Sequence, residues 1–336
     1  MDYRPLGRTG VKVSQLCLGC MMFGGKTAPD DAYAIIDRAI DAGINFIDTA
    51  NVYSLGRSEE VTGEALKRNG KRHSIVLATK VHGNMGDGPL QSGNNRRHII
   101  EKCEASLRRL QTDYIDLYQI HRPQPETPID ETLRALDDLV RAGKVRYIGS
   151  STFAAWQLVE SLWVAKELGL NRFVCEQPPY NLLDRRIERE LLPMARTYGF
   201  AVIPWSPLGG GLLTGKYKRG EEPPEGARFA DTSNPLYRRR LNDRIYDVVE
   251  ALAEMAQAKG VTMSQLALAW CMQQPGVTSP IIGPRTMEQF EDNMGALAVE
   301  ITDDERKQID RFARRGQSVA PFYEAEFGPH PYRVGM

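Results

Sequence analysis

The chain has 336 residues, with 43 Lys and Arg balanced by 43 Asp and Glu, so no net field draws it to nucleic acid. Hydrophobic residues are 42% and charged residues 26%, the balance of a globular protein, and no stretch is apolar for the length of a membrane span. Five cysteines, an odd number in a chain of this size, point to reduced thiols, and the start MDYRPLGRTG lacks a basic-then-apolar leader, so a cytoplasmic location is expected.

Gly7 and Gly10 bracket the turn of an expected N-terminal hairpin whose second strand is VKVS. Beyond it, strand-like and helix-like segments alternate. QLCLG, INFID, SIVLATK, IDLYQIH, VRYIGSS, FVCEQ, AVIPW and SPIIG are short apolar runs, as parallel strands buried on both faces should be. Cys17 and Cys20 form a CxxC inside the first run, but a second cysteine pair and a helix start are both missing, which argues against zinc or thiol-redox chemistry.

Between the strands, Thr127, Pro128 and Asp130 predict an N-cap, a first-turn proline and a capping-box acid, with Gly143 ending that helix. Leu133, Leu136, Leu139 and Val140 fall on one face of it, and Gly43 and Gly169 are stop signals elsewhere. Trp205 to Leu241 is too long and too rich in Gly, Pro and charge for an ordinary connection. Two helical patterns lie between Arg244 and Gln274, the second opened by Thr262 and Gln265. After the eighth strand, Thr286 with Gln289 and Thr302 with Glu305 open two more. Eight alternating units predict an α/β fold, a (β/α)8 TIM barrel with an N-terminal β-hairpin and extra C-terminal helices. It is expected as one domain over residues 1–336, with 316–336 a C-terminal tail.

Barrel enzymes keep their chemistry at the carboxyl ends of the strands. There INFIDTA delivers Asp48, SIVLATK delivers Lys80 and IDLYQIH delivers His121, while Tyr53 follows Asp48 in its loop. A lysine beside a phenol favours phenolate, and a carboxylate can hold that lysine, so Asp48, Lys80 and Tyr53 make a plausible relay to a carbonyl oxygen polarised by His121.

The segments FIDTANVY, ATK and YQIHRP, within a likeness running from RPLGRTGVKVSQLCLG to IGPRTMEQFEDN, resemble the aldo-keto reductase family. Its catalytic Asp, Tyr, Lys and His then correspond to Asp48, Tyr53, Lys80 and His121. The resemblance implies a TIM barrel, carbonyl reduction, and a nicotinamide dinucleotide, NADPH, bound without a Rossmann domain. It implies a small-molecule carbonyl as partner, with neither nucleic acid nor membrane, and leaves oligomerisation open. By position, Ser151 in YIGSSTF and Gln177 in CEQPPYN correspond to ligands of the nicotinamide carboxamide, and Trp205 in PWSPLGGG to the ring that stacks on nicotinamide. Ser206 and Leu208 correspond to residues around the pyrophosphate. The family often has Asn after the serine, where this chain has Thr152.

Gly210 to Lys216 satisfies G-x-x-x-x-G-K, but Tyr217 stands where a P-loop needs Ser or Thr for Mg²⁺. The same GGGLLTGKY resembles the family loop over the pyrophosphate, with Gly210, Gly215 and Lys216 as contacts. Arg285 is expected on the adenosine 2′-phosphate, beside a helix start suited to an anion, and Gln289 and Asn293 on adenine. Other branches of the family place Lys-Ser where this chain has Gly283 and Pro284. Met22, Phe23 and His82 are expected around the substrate, with Tyr53 and Trp205. An alternative reading is a redox-sensing binding module resembling the potassium-channel β subunit, which shares the HRP and WSPL patterns. Such subunits usually carry an N-terminal extension, whereas this sequence opens at the hairpin.

Overall fold

A computed structural model describes residues 1–231, 237 and 241–319 of the chain. The hairpin pairs β1 (Tyr3–Pro5) with β2 (Lys12–Ser14) antiparallel. Eight parallel strands follow: β3 (Cys17–Gly19), β4 (Phe46–Asp48), β5 (Val76–Val81), β6 (Ile115–Ile120), β7 (Val145–Ser151), β8 (Cys175–Gln177), β9 (Ala201–Val202) and β10 (Ile281–Ile282). They lie in the order β10-β3-β4-β5-β6-β7-β8-β9. The two edge strands meet where Thr278 N donates to Val202 O at 2.7 Å and Ile281 N to Pro204 O at 2.8 Å, so the sheet closes on itself. The expected (β/α)8 barrel with its hairpin is what forms, and each of the eight apolar runs supplies one strand.

The helices α1 (Pro29–Asp41), α2 (Arg57–Asn69), α3 (Arg96–Leu110), α4 (Ile129–Arg141), α5 (Ala155–Leu168) and α6 (Leu191–Tyr198) ring the barrel. Further along are α7 (Asp243–Lys259), α8 (Met263–Met272), α9 (Met287–Gly295) and α10 (Asp303–Phe312). Their starts follow the local chemistry: Pro29 opens α1 with Asp30 and Asp31 in its first turn, and Thr262 with Gln265, and Thr302 with Glu305, form reciprocal capping boxes. One expected start is corrected. Pro128, at ψ 134°, is itself the N-cap of α4 and no side chain caps that helix, so Thr127 lies one residue outside it. Asp130 remains in the first turn, where it meets the helix dipole. Gly316–Val319 of the expected tail are described; the rest of it, and residues 232–236 and 238–240 of the long segment, lie outside the described residues.

The interior of the barrel is a small, separate apolar cluster of Leu6, Val13, Cys17, Phe46, Ala78, Leu117, Cys175, Ala201 and Ile203, all fully buried. Leu6 and Val13 come from the hairpin, which therefore plugs the amino-terminal end. Its turn needs glycine at position 7: φ is +58°, and a Cβ would lie 2.4 Å from the Val174 carbonyl oxygen. The larger cluster packs the outer faces of the strands against the helices, with Trp270, Tyr180 and Phe290 among its largest buried side chains.

Candidate active site

Side chains along a strand alternate between faces, so the interior cluster marks which residues point inward. Two residues beyond Phe46, Ala78, Leu117 and Cys175 stand Asp48, Lys80, Gln119 and Gln177, and these form a polar layer directly above the apolar plug. Register brings them together: Asp48 is level with Ala78, Lys80 with Gln119, and Ser151 with Gln177.

Lys80 is completely buried, and its Nζ donates to Asp48 Oδ2, to Thr49 O at 2.8 Å and to Tyr53 Oη at 3.3 Å. Asp48 Oδ1 accepts from Gln119 Nε2 at 3.0 Å and Gln177 Nε2 at 2.9 Å. The ion pair is thus surrounded by hydrogen bonds, the condition under which a buried pair is tolerated. Burial pulls the Lys80 pKa down, but Asp48 and then Tyr53 outweigh it and hold the ammonium above its ordinary value, so Lys80 is charged at neutral pH. Its Nζ also lies 4.9 Å from the centroid of the Tyr53 ring.

The Tyr53 ring meets His121 edge-on, with centroids 5.7 Å apart. Burial, then the charges of Arg122 and Lys80, push the His121 imidazole well below the usual histidine range. At pH 7 it is neutral, able to donate a hydrogen bond from one ring nitrogen without bringing a charge.

Asp48, Tyr53 and His121 open onto a cleft of about 490 Å³ at the carboxyl ends of the strands. Ser151, Gln177, Trp205, Ser206, Leu208, Gly210, Lys216, Arg285, Gln289, Asn293 and Met22 line the same cleft. Lys80 lies beneath it and reaches it through Asp48 and Tyr53. Three expected residues fall outside the lining. Phe23 is fully buried in the outer core, because the turn from Cys20 to Thr27 folds its ring inward. Gly215, at φ +79°, ends the short 3-10 turn Gly209–Thr214. His82 is half-buried beside the cleft, with Nδ1 3.0 Å from Asn94 Oδ1 and its pKa lowered by burial.

Around the far end of the cleft stand Lys216, Arg228 and Arg285, and no carboxylate forms a salt bridge with any of them among the described residues. Burial, then Arg285 and Arg228, lower the Lys216 pKa. Asp292 also lines the cleft, but its Oδ1 accepts from Thr262 and Gln265, and three cations with no salt bridge among the described residues suit a polyanion such as a dinucleotide. Thr286 caps α9 by accepting from Gln289 N at 3.2 Å, and Gln289 Oε1 accepts from Arg285 N at 2.9 Å, so Arg285 is held against the helix start.

Sequence reasoning gave no role to Arg122, Lys26 and Arg228 in the cleft wall, or to Gln119 beneath it. Gln119 carried a signal, a polar side chain inside an apolar strand, two positions before His121 and so on the same face. Arg122 Nη1 donates to His121 O and to Thr152 Oγ1, both at 2.8 Å. Thr152 thus has its hydroxyl engaged by Arg122, in a left-handed backbone conformation with φ +70° that a β-branched residue rarely adopts.

Residues 15–314 match the profile of the aldo/keto reductase family. The chain is 41% identical over 302 residues to a probable voltage-gated potassium channel subunit beta of Oryza sativa subsp. japonica, covering 89% of this chain and 92% of that one. It is 42% identical over 314 residues to an oxidoreductase of Bacillus subtilis strain 168, YrpG, with 90% and 92% covered. A versiconal hemiacetal acetate reductase of Aspergillus parasiticus is 34% identical over 334 residues, with 92% and 96% covered.

Proposed function

Because the chain belongs to the aldo/keto reductase family and is a carbonyl oxidoreductase, we propose that it is an NADPH-dependent reductase of an aldehyde or ketone, with Tyr53 as the general acid. The observation that carries this reading is the contact of Lys80 Nζ with both Asp48 and Tyr53 at the floor of a cleft whose far end holds Lys216, Arg228 and Arg285.

When bound, the dinucleotide supplies the hydride. Ser151 and Gln177 would hold its carboxamide, Trp205 its nicotinamide face, and Ser206, Leu208, Gly210 and Lys216 its pyrophosphate; Arg285 would take the 2′-phosphate and Gln289 and Asn293 the adenine. The protein's part is the proton. Tyr53 Oη donates to the carbonyl oxygen as negative charge develops there, and the nearby Lys80 ammonium stabilises the phenolate left behind. Asp48, fixed by Gln119 and Gln177, holds Lys80 in place, and neutral His121 donates a hydrogen bond that orients the carbonyl. The whole chain is read as one domain serving this cleft.

The direct test is NADPH consumption, followed by absorbance, against a panel of aldehydes, ketones and sugar-derived carbonyls. Turnover of at least one is expected. A purified protein that binds NADPH tightly yet oxidises it with none would favour a redox-sensing role, a reading supported by the 41% identity to the rice protein named as a channel β subunit.

Cofactor preference has its own test. A charge-assisted contact is worth about 1.5–3 kcal/mol, and 1.4 kcal/mol is a factor of ten. Arg285→Ala is expected to weaken NADPH binding roughly ten- to hundredfold while leaving NADH nearly unchanged. Dissociation constants measured at one ionic strength check this, and equal losses for both cofactors would move the specificity away from Arg285.

A further inference from the structure

Glu176 is completely buried, lies between Cys175 and Gln177 on β8, and takes no part in the proton relay. Cys175 belongs to the interior cluster and Gln177 to the polar layer, so Glu176 points to the other face of the sheet. There its Oε2 is 2.5 Å from Ser150 Oγ, and its Oε1 accepts from Phe153 N at 3.0 Å. It therefore grips both ends of the turn Ser150–Phe153, which contains the cleft residue Ser151 and the strained Thr152. From the cleft side Arg122 holds Thr152 Oγ1, and Ser151 Oγ donates to Gln177 O at 2.9 Å.

We propose that Glu176 is a positioning residue for the dinucleotide site, and that its neutral carboxyl is the form that sets the Ser150–Phe153 turn for binding. This rests on the reading of the cleft as a nicotinamide-dinucleotide site. In the neutral form every polar atom has a partner: the carboxyl proton goes to Ser150 Oγ, whose own hydrogen can go to Cys175 O at 3.3 Å, and Phe153 N–H meets the other oxygen. In the ionised form Ser150 must turn its hydrogen to the carboxylate, and a charge is left in a dry site. The charged or titratable groups facing Glu176 are Arg122, whose attraction favours ionisation, and Cys175, whose thiol is itself pushed up by burial. Burial prevails and raises Glu176 to about 8, so it is mostly neutral at pH 7 and ionises in mild alkali.

A dinucleotide over Ser151 and Gln177 dries the turn further and adds phosphate charge, and both disfavour the ionised form. By linkage, affinity falls as pH rises through the Glu176 value. Lys216 weakens anion binding in the same direction as it loses its proton, but that contribution does not pass through Glu176.

The test is the dissociation constant of NADPH and of NADH for the full chain between pH 6.5 and 9.5, by calorimetry, in wild type and Glu176→Gln. The Gln amide can donate to Ser150 Oγ and accept from Phe153 N, so it mimics the neutral acid. Wild type is expected to lose up to about tenfold in affinity between pH 7 and 9 for both dinucleotides, as the neutral fraction of Glu176 falls from about nine-tenths to about one-tenth. Glu176→Gln should start at the wild-type pH 7 value and fall less steeply, keeping only the part that Lys216 contributes. Ser150→Ala removes a partner of both forms but costs the ionised form more, because hydrogen bonds to a charge are the stronger, and should move the wild-type break to higher pH. Parallel pH profiles in wild type and Glu176→Gln, or an unmoved break in Ser150→Ala, would overturn the proposal. If neither dinucleotide bound at any pH, the reading of the cleft itself would fall, and the proposal with it.

Discussion

Tyr53→Phe is expected to lower kcat/KM for a reactive aldehyde by roughly a hundred- to ten-thousandfold, the usual contribution of a positioned general acid, while the NADPH dissociation constant stays within about twofold. The geometry makes this variant a clean one. Among the described residues Tyr53 Oη makes one hydrogen bond, the 3.3 Å contact with Lys80 Nζ, and Lys80 keeps Asp48 and Thr49 O when the hydroxyl is gone. The Phe ring can keep the Lys80 contact at 4.9 Å and the edge-on packing against His121, so the cleft retains its shape. What disappears is the one proton the relay delivers. A transition-state contribution lowers kcat without altering cofactor binding. Stopped-flow rates of NADPH oxidation with saturating aldehyde would separate the chemical step from product release. Near-normal single-turnover rates would remove Tyr53 as the acid and leave His121 or a bound water to take that role.

The barrel was legible because parallel strands buried on both faces leave an unusually plain trace: eight apolar runs, three of them ending on a charged or titratable residue where the strand leaves the core. Asp48, Lys80 and His121 could be found that way without knowing which strands are neighbours. Gln119 could not, since its meaning lies in the register that sets it level with Lys80 and against Asp48. Arg122 and Thr152 are 30 residues apart, and their hydrogen bond forms only when β6 and β7 pair. Phe23 was misplaced for the opposite reason. Its neighbours Met21 and Met22 line the cleft, but the turn that returns at Thr27 points the ring of Phe23 the other way, a backbone detail that hydrophobicity does not encode. The start of α4 moved by one residue because Pro128, read as the first helical residue after a Thr127 cap, has an extended ψ of 134° and stays outside the helix as its N-cap.

Lys80→Met should abolish turnover and also destabilise the fold, and the two losses can be separated. Lys80 is 0% and the Asp48 side chain 3% exposed, so removing the ammonium leaves a buried carboxylate with Gln119 and Gln177 as its donors among the described residues. Breaking a buried pair from one side costs about 3–5 kcal/mol. In wild type the Lys80 pKa lies above its ordinary value, so its contribution persists below that range and is lost only in strong alkali. In the variant Asp48 carries the penalty, a carboxylate buried without its cation, so Lys80→Met should melt far below wild type at pH 8. Adding Asp48→Asn removes the second charge while leaving an amide oxygen for Gln119 and Gln177, and this double variant should recover most of the stability at pH 8. It should not recover turnover, because no ammonium remains to favour the Tyr53 phenolate. Thermal melts at pH 8, with kcat measured on the same preparations, decide the matter. Restored activity in the stable double variant would mean that Lys80 serves the fold alone.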